Sequence, residues 1–208
     1  FGAWTTTYTP PTVDDVYEVK VRQTDNAGNV SAEQTLNYTL DTTAAAVASI
    51  TLASATGLQN NFLNADDVLT ATVTMTEEVS VTGSPTLNLL IGTTTVSATY
   101  KSLSADNKTL TFEYKVISGQ LDADGVSIPA NALVLGSAAS IQDKAGNTVT
   151  NTTLVSSLVA DNATYMVDAV VPNVTANVLR AQDDVATTAP WRSGSNSLFA
   201  VQGVTGAG

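Results

Sequence analysis

The chain has 208 residues, of which 43% are hydrophobic and 13% are charged, a length that fits one large domain or two small ones. It contains no cysteine and no histidine, which excludes disulfide frameworks, thiolate and imidazole catalysis and ordinary zinc sites. The net charge of −11 argues against nucleic acid as a partner, and no apolar run reaches the roughly 18 residues of a membrane-spanning helix.

Aspartate and threonine dominate the polar residues. The chain has 14 Asp against 5 Glu, and 33 Thr. Aspartate favours turns and binds hard cations, whereas β-branched threonine favours strands. The composition therefore predicts an all-β protein and makes calcium the cofactor to test.

The first predicted elements lie in residues 1–44. Apolar and charged residues alternate in residues 17–22, and a second alternation covers residues 36–40, with a turn-rich segment between them; this pattern predicts two antiparallel strands. Residues 4–8 add one short strand. Three strands are too few for two closed sheets, so residues 1–44 are interpreted as the C-terminal half of a domain.

Residues 45–168 carry a complete set of strand signals at short spacing, as in a two-sheet sandwich. The predicted strands are 50–52, 68–75, 86–91, 96–100, 110–116, 126–128 with 133–135, and 163–167. Residues 169–208 contain opening strands at 174–179 and 198–201 and are interpreted as the N-terminal half of a following domain. The two partial segments total 84 residues, close to the roughly 100 of one such sandwich. We therefore expect residues 169–208 to complete residues 1–44 of another copy or of the preceding repeat.

Three motifs in this order carry a resemblance to a known family. They are residues 21–31 with Asp25-Asn26-Ala27-Gly28-Asn29, residues 38–44 with Asp41-Thr42-Thr43, and Asp143-Lys144-Ala145-Gly146-Asn147 followed by residues 165–168. The chain resembles the bacterial immunoglobulin-like tandem repeats of large calcium-dependent surface adhesins and biofilm proteins. The resemblance implies immunoglobulin-like β-sandwiches in tandem, an extracellular location at the cell surface, no enzymatic activity, and a structural extender that projects an adhesive region.

Two kinds of acidic turn are candidate cation loops. In Asp25–Asn29 and Asp143–Asn147 the Gly and Asn allow the chain to reverse, and each segment is either a plain turn or a calcium loop. The segment with Asp122 and Asp124 before Gly125 places two carboxylates at the spacing of a cation-binding loop, or it is a solvated acidic turn.

Sandwich topology predicts which of these carboxylates meet. The end where the chain enters the second domain should collect Asp41, Glu77, Asp106 and Asp143 with Asn147. The end where it leaves should collect Asp66, Asp67, Asp122, Asp124 and Asp168. Gathered like charges repel one another unless a cation or solvent lies between them, so we expect calcium at a junction to couple neighbouring repeats and stiffen the array.

The two alternative functions are a carbohydrate-binding module and an enzyme. A carbohydrate-binding module would use Trp4, Trp191, Tyr8 and Tyr100 to stack on sugar rings, although isolated aromatics in a sandwich more often belong to the core. An enzyme would need the paired carboxylates of a glycosidase, and Asp122 and Asp124 on one turn lack a partner across a cleft. The chain is predicted not to be an enzyme.

Overall fold

The computed structural model describes residues 9–150 and 156–172, and within these ranges it contains 13 strands and no helix. None of the described segments therefore forms a helix with the length and hydrophobicity that a membrane crossing requires. The strands are β1 (Asp15–Val21), β2 (Gln34–Leu40), β3 (Val47–Thr56), β4 (Phe62–Leu63), β5 (Val68–Met75), β6 (Val79–Thr82), β7 (Thr86–Ile91), β8 (Thr94–Leu103), β9 (Thr109–Lys115), β10 (Leu121–Asp122), β11 (Leu133–Val134), β12 (Ser140–Asp143) and β13 (Met166–Asp168).

Strands β1 and β2 form an antiparallel hairpin with one apolar face. Tyr17 lies opposite Tyr38 with ring centroids 5.6 Å apart, and Val19 lies opposite Leu36. Directly opposed residues share a face of the sheet, so these four side chains form one apolar patch. Leu36 on this patch is 64% exposed. The hairpin confirms the two strands predicted from alternation, and its apolar face is only partly covered.

The largest sheet has six strands in the order β11-β7-β8-β9-β5-β3, all antiparallel. Strand β5 shows the period of two most clearly, since every second side chain from Leu69 to Met75 is buried. Phe112 on β9 is fully buried beside it. Burying such side chains contributes about 1.5–3 kcal/mol each, so this inner face is the main source of stability.

Two smaller sheets complete the sandwich. One has the order β10-β13-β4, with β13 parallel to β4, and the other pairs β12 with β6. Leu63 and Val167 from the first and Ile141 from the second join the same core as the six-stranded sheet. The described part of the chain is therefore an all-β, immunoglobulin-like sandwich. The composition predicted the all-β class, and the strand spacing with the family resemblance predicted the sandwich.

The chain enters and leaves this sandwich at opposite ends of β5. Val47 at the start of β3 pairs with Met75, the last residue of β5. Near the other end, the Asp66 N–H just before β5 donates to the Val116 carbonyl, and the Asp67 carbonyl accepts the Val116 N–H. The Ala169 carbonyl after β13 accepts the Gly119 N–H in the turn that follows Val116. Because β5 has 8 residues, the two ends lie roughly 27 Å apart at about 3.4 Å per residue.

Several predicted elements differ from the structure. Residues 126–128 form isolated bridges to Leu90 and Val159 rather than a strand, and the short strands β4, β6, β10 and β12 had not been predicted. The predicted strands at 4–8, 174–179 and 198–201 lie outside the described residues. The described residues up to Val170 form one compact unit, and the predicted domain boundaries after residues 44 and 168 stay predictions.

Candidate functional site

The segment that leaves the hairpin is bound to the hairpin by Asp14. One Asp14 carboxylate oxygen accepts hydrogen bonds from the backbone N–H and the hydroxyl of Thr42, at 2.9 and 2.8 Å. The other accepts from the Thr43 hydroxyl at 2.7 Å. These bonds, with that from Thr43 the strongest influence, lower the pKa of Asp14. Asp14 was absent from the sequence prediction, because its partners lie 28 and 29 residues away along the chain.

The same segment is also bound to the sandwich. The Ala46 N–H donates to the Thr76 hydroxyl at 3.0 Å, and the Thr76 N–H donates to the Ala46 carbonyl at 2.9 Å. Ala45, the residue before Ala46, is fully buried. Residues 41–46, called the linker below, are therefore anchored to the hairpin at one end and to the sandwich at the other.

The turn after β12 contacts the linker through Asn147. The Asn147 backbone N–H and side-chain amide each donate to the Asp143 carboxylate, at 2.9 Å in both cases. The same side-chain amide donates to the main-chain carbonyl of Asp41 at 3.1 Å and lies 3.5 Å from that of Thr43. Gly146 has a φ of 95°, a conformation that glycine adopts without strain. One amide thus joins the sandwich to the linker.

Three carboxylates meet at this contact. Ligand oxygens of Asp41, Glu77 and Asp143 all lie within 4.8 Å of one another. Asp143 is buried, and the other two are half-buried. Of the residues predicted for this end of the sandwich, these three and Asn147 come together.

The carboxylates repel one another, and the pKa of Glu77 reflects burial together with this repulsion. Burial raises the pKa of Glu77, the charges of Asp41 and Asp143 raise it further, and Lys108 opposes them. Burial also acts to raise the pKa of Asp143, but the hydrogen bonds from Asn147 and the neighbouring N–H groups together outweigh it and hold the pKa below its ordinary value. Three carboxylates supply the hard oxygen ligands that Ca²⁺ prefers, so the donor set fits a calcium ion and a cation there would offset the repulsion.

Asp106 was predicted at the same end but is not part of this group. Its carboxylate accepts from the Ser104 hydroxyl and from the Lys108 N–H within its own turn. The Ser104 hydroxyl, foremost among these partners, lowers the pKa of Asp106. The carboxylate therefore stabilises the β8–β9 turn, and the Asn107 carbonyl of this turn accepts the Val79 N–H at the start of β6.

The five carboxylates predicted at the other end lie in three separate chain segments: Asp66 with Asp67, Asp122 with Asp124, and Asp168. Asp66 pairs with Lys115 at 2.7 Å, Asp67 accepts the Asn64 N–H at 2.7 Å, and Asp168 accepts the Val170 N–H at 3.1 Å. Asp124 is exposed. In residues 9–150 and 156–172, no three of them approach one another as Asp41, Glu77 and Asp143 do.

Asp122 belongs to that predicted set and is buried, with 3% of its surface exposed. Its two oxygens accept the backbone N–H groups of Gly92 and Gly125, each at 2.8 Å. A Cβ on Gly125 would lie 2.2 Å from the Asn162 carbonyl oxygen, so the turn packs backbone against backbone. Asp122 satisfies buried donors that would otherwise be costly, which is a structural role.

The hairpin contains a second copy of the Asp143–Asn147 turn. Asp25 Oδ1 accepts the Asn29 N–H at 2.8 Å and Oδ2 accepts the Asn29 side-chain amide at 2.8 Å, while Gly28 has a φ of 86°. Asn29 foremost lowers the pKa of Asp25. Asp25 and Asn29 are exposed, and both turns are built by the same local hydrogen bonds.

Of the aromatic residues considered for sugar stacking, Tyr100 is the one described. Its ring packs edge-on against Phe112 with centroids 5.9 Å apart, and it is half-buried. This is the position of a side chain at the border of the core. Trp4, Tyr8 and Trp191 lie outside the described residues.

The comparison with known families gives one match. A family model described as a bacterial Ig-like domain matches residues 1–42, which contain β1, β2, the Asp25–Asn29 turn and Asp41. No curated protein and no solved structure matches the chain. Over residues 1–42, the chain is similar to the bacterial Ig-like domain.

Proposed function

We propose that the chain is a structural extender of a bacterial cell-surface adhesin or filament, in which tandem Ig-like units hold an adhesive region away from the cell. The observation that carries this proposal is the double anchoring of the linker, by Asp14 on the hairpin and by Asn147 on the sandwich. An extender has to transmit orientation from one unit to the next. Hydrogen bonds from the hairpin and from the sandwich to the same linker restrict the rotation of one relative to the other.

The second part of the proposal is that calcium binds Asp41, Glu77 and Asp143. Each carboxylate comes from a different part of the chain: the linker, the β5–β6 turn and the end of β12. A cation held by all three would add a cross-link between the linker and the sandwich, and would remove the repulsion that raises the pKa of Glu77. Calcium would therefore stiffen the junction.

The extracellular location and the partners belong to the same proposal. A chain without cysteine cannot be stabilised by disulfides, and calcium at millimolar concentration outside the cell can supply stability in their place. The partners are neighbouring Ig-like repeats or copies of the chain itself. Tyr100 packs at the core and offers no support to the carbohydrate-binding alternative. The absence of enzymatic activity stays a prediction.

Thermal unfolding with and without calcium tests the proposed metal site. A ligand that binds only the folded state adds about 2.7 kcal/mol at a hundredfold excess over Kd, so we expect calcium to raise Tm by about 5–10 °C relative to chelator. The matched variants are Asp41→Asn, which removes one negative charge from the site, and Asp124→Asn, which changes the net charge equally at an exposed turn. Loss of the calcium response in the first variant alone supports the site. An unchanged Tm in the unsubstituted protein overturns it.

Small-angle scattering tests stiffening itself. We expect the maximum dimension of the chain to be better defined in calcium than in chelator, and Asp143→Ala to remove this difference. Identical scattering of the two proteins in calcium would count against a junction role for Asp143.

A further inference from the structure

The junction has two halves, the Asp143–Asn147 turn and the start of the linker. The described part of the chain contains a second copy of each half. The second copy of the turn is Asp25–Asn29. Beyond the side-chain bonds, the backbone repeats as well: the Ser31 N–H donates to the Gln23 carbonyl at 2.8 Å, as the Val149 N–H donates to that of Ile141 at 2.8 Å. The bridges that flank the two turns also correspond, at Thr24 with Val30 and at Gln142 with Thr148.

The linker half is repeated after β13. At the start of the linker, the Thr43 N–H donates to Asp41 Oδ1 at 3.1 Å. After β13, the Val170 N–H donates to Asp168 Oδ1 at 3.1 Å. Each Asp follows a Tyr by three positions, in Tyr38-Thr39-Leu40-Asp41 and Tyr165-Met166-Val167-Asp168. Residues 168–170, called the exit turn below, therefore repeat the hydrogen-bonded turn that begins the linker.

The two halves that contact each other within the chain are less exposed than their second copies, the Asp25–Asn29 turn and the exit turn. Asp41 and Asn147 are half-buried and Asp143 is buried, because they contact one another. Asp168, Asp25 and Asn29 are exposed. In residues 9–150 and 156–172, the only acceptor of the Asn29 side-chain amide is Asp25, whereas the Asn147 amide also reaches the linker carbonyls.

We infer that the two exposed halves are complementary: the Asp25–Asn29 turn of one copy of this chain docks on the exit turn of a second copy. The Asn29 amide donates to the main-chain carbonyls of Asp168 and Val170, as the Asn147 amide does to those of Asp41 and Thr43. This inference rests on the proposed extender role, and it identifies the partner as a second copy of the chain.

The position of the two halves determines the kind of assembly. The exit turn lies at the end of the sandwich opposite to the linker that joins the hairpin. A contact between different surfaces at opposite ends is heterologous and adds copies head to tail.

Cysteine cross-linking tests the contact, because the chain has no cysteine of its own. Ala27→Cys marks the hairpin turn and Val170→Cys marks the exit turn, and both positions are exposed. The two full-length variants, one carrying a size tag, are mixed and treated with a short bismaleimide. The matched control pairs Val170→Cys with Ala145→Cys instead of Ala27→Cys. Ala145 has the same position in the Asp143–Asn147 turn, which already contacts the linker of its own chain.

We expect about tenfold more mixed dimer from Ala27→Cys with Val170→Cys than from the control pair, which corresponds to a preference of about 1.4 kcal/mol. Adding Asn29→Ala to the Ala27→Cys chain should reduce the yield to that of the control. Equal yields from the two pairs, or a yield insensitive to Asn29→Ala, overturn the inference. The calcium response of Tm is measured on the same unsubstituted protein, so a failed cross-link with an intact response refutes only the contact between copies.

Discussion

Asn147 and Asn29 occupy the same position in two turns of the same construction, but only Asn147 also binds the linker. Replacing either residue by Ala removes the same side-chain bond to an Asp carboxylate and keeps the backbone N–H bond. Asn147→Ala additionally leaves the half-buried Asp41 carbonyl without this donor. The two variants therefore separate the contribution of the junction from that of the turn.

We expect Asn147→Ala to lower the free energy of unfolding by about 1–3 kcal/mol, and Asn29→Ala to have a smaller effect at protein concentrations where copies do not associate. Limited proteolysis should cut the linker faster in Asn147→Ala alone. Equal cutting in both variants would mean that the Asn147 amide does not restrain the linker.

Glu77 has a raised pKa, which predicts a pH dependence. A carboxylate whose pKa is raised by folding favours the folded state when protonated, so its contribution to stability is lost as pH rises from its ordinary value of 4.5 through the raised one. Protons and calcium compete for this group. The Tm increase caused by calcium should therefore shrink as pH is lowered toward 4.5, and a constant increase across this range would argue against binding at Glu77.

Glu77→Gln removes the charge but keeps the shape. In metal-free buffer at neutral pH we expect this variant to be more stable than the unsubstituted protein, because the repulsion with Asp41 and Asp143 is reduced. In calcium the order should reverse, because a ligand is lost. Chemical unfolding in both buffers measures the two differences, and Glu78→Gln at the adjacent exposed position serves as the control.

Among the elements, the turn after β10 depends on Asp122. Asp122→Ala would leave the N–H groups of Gly92 and Gly125 without their acceptor, at a cost of about 1–3 kcal/mol. Asp124→Ala, two residues away and exposed, should stay within about 0.5 kcal/mol. Denaturant unfolding compares them. A similar loss of stability in both variants would contradict the structural role given to Asp122.

The elements also show what a sequence can predict. Strand β5 was predicted with its observed bounds, because the alternation of apolar residues and threonine is a local property. Strands β4 and β10 have two residues each, and they exist because a partner strand lies beside them. No local sequence pattern predicts such short strands.

The residues of the candidate site likewise divide into those that the sequence predicts and those that it does not. Asp41, Glu77 and Asp143 were placed together by the alternation of loops between the two ends of a sandwich, which depends only on strand order. Asp106 and Asp122 were expected in clusters but accept nearby N–H and hydroxyl groups. Which donor a carboxylate accepts depends on distances of a few ångströms, and the strand order does not determine them.

For the molecule as a whole, the net charge of −11 predicts a general response to salt. Self-repulsion destabilises a compact acidic chain and is screened by any electrolyte. We expect Tm to rise gradually with NaCl, whereas calcium at constant ionic strength should produce a further rise that saturates. A calcium effect that NaCl of equal ionic strength reproduces would be screening rather than binding.

The opposite placement of the two chain ends along β5 has a mechanical consequence. In the proposed extender, tension along an array of such units would enter the sandwich through β3 and leave through β13. Strand β3 is paired with β5 over most of its 10 residues, and the pull runs along these strands, so their hydrogen bonds share the load instead of breaking one after another. Rupture is then limited by the rate of unfolding rather than by equilibrium stability. The linker bonds of Asp14, Thr76 and Asn147 lie in series with this sheet, so each junction can yield and re-form before a sandwich is lost.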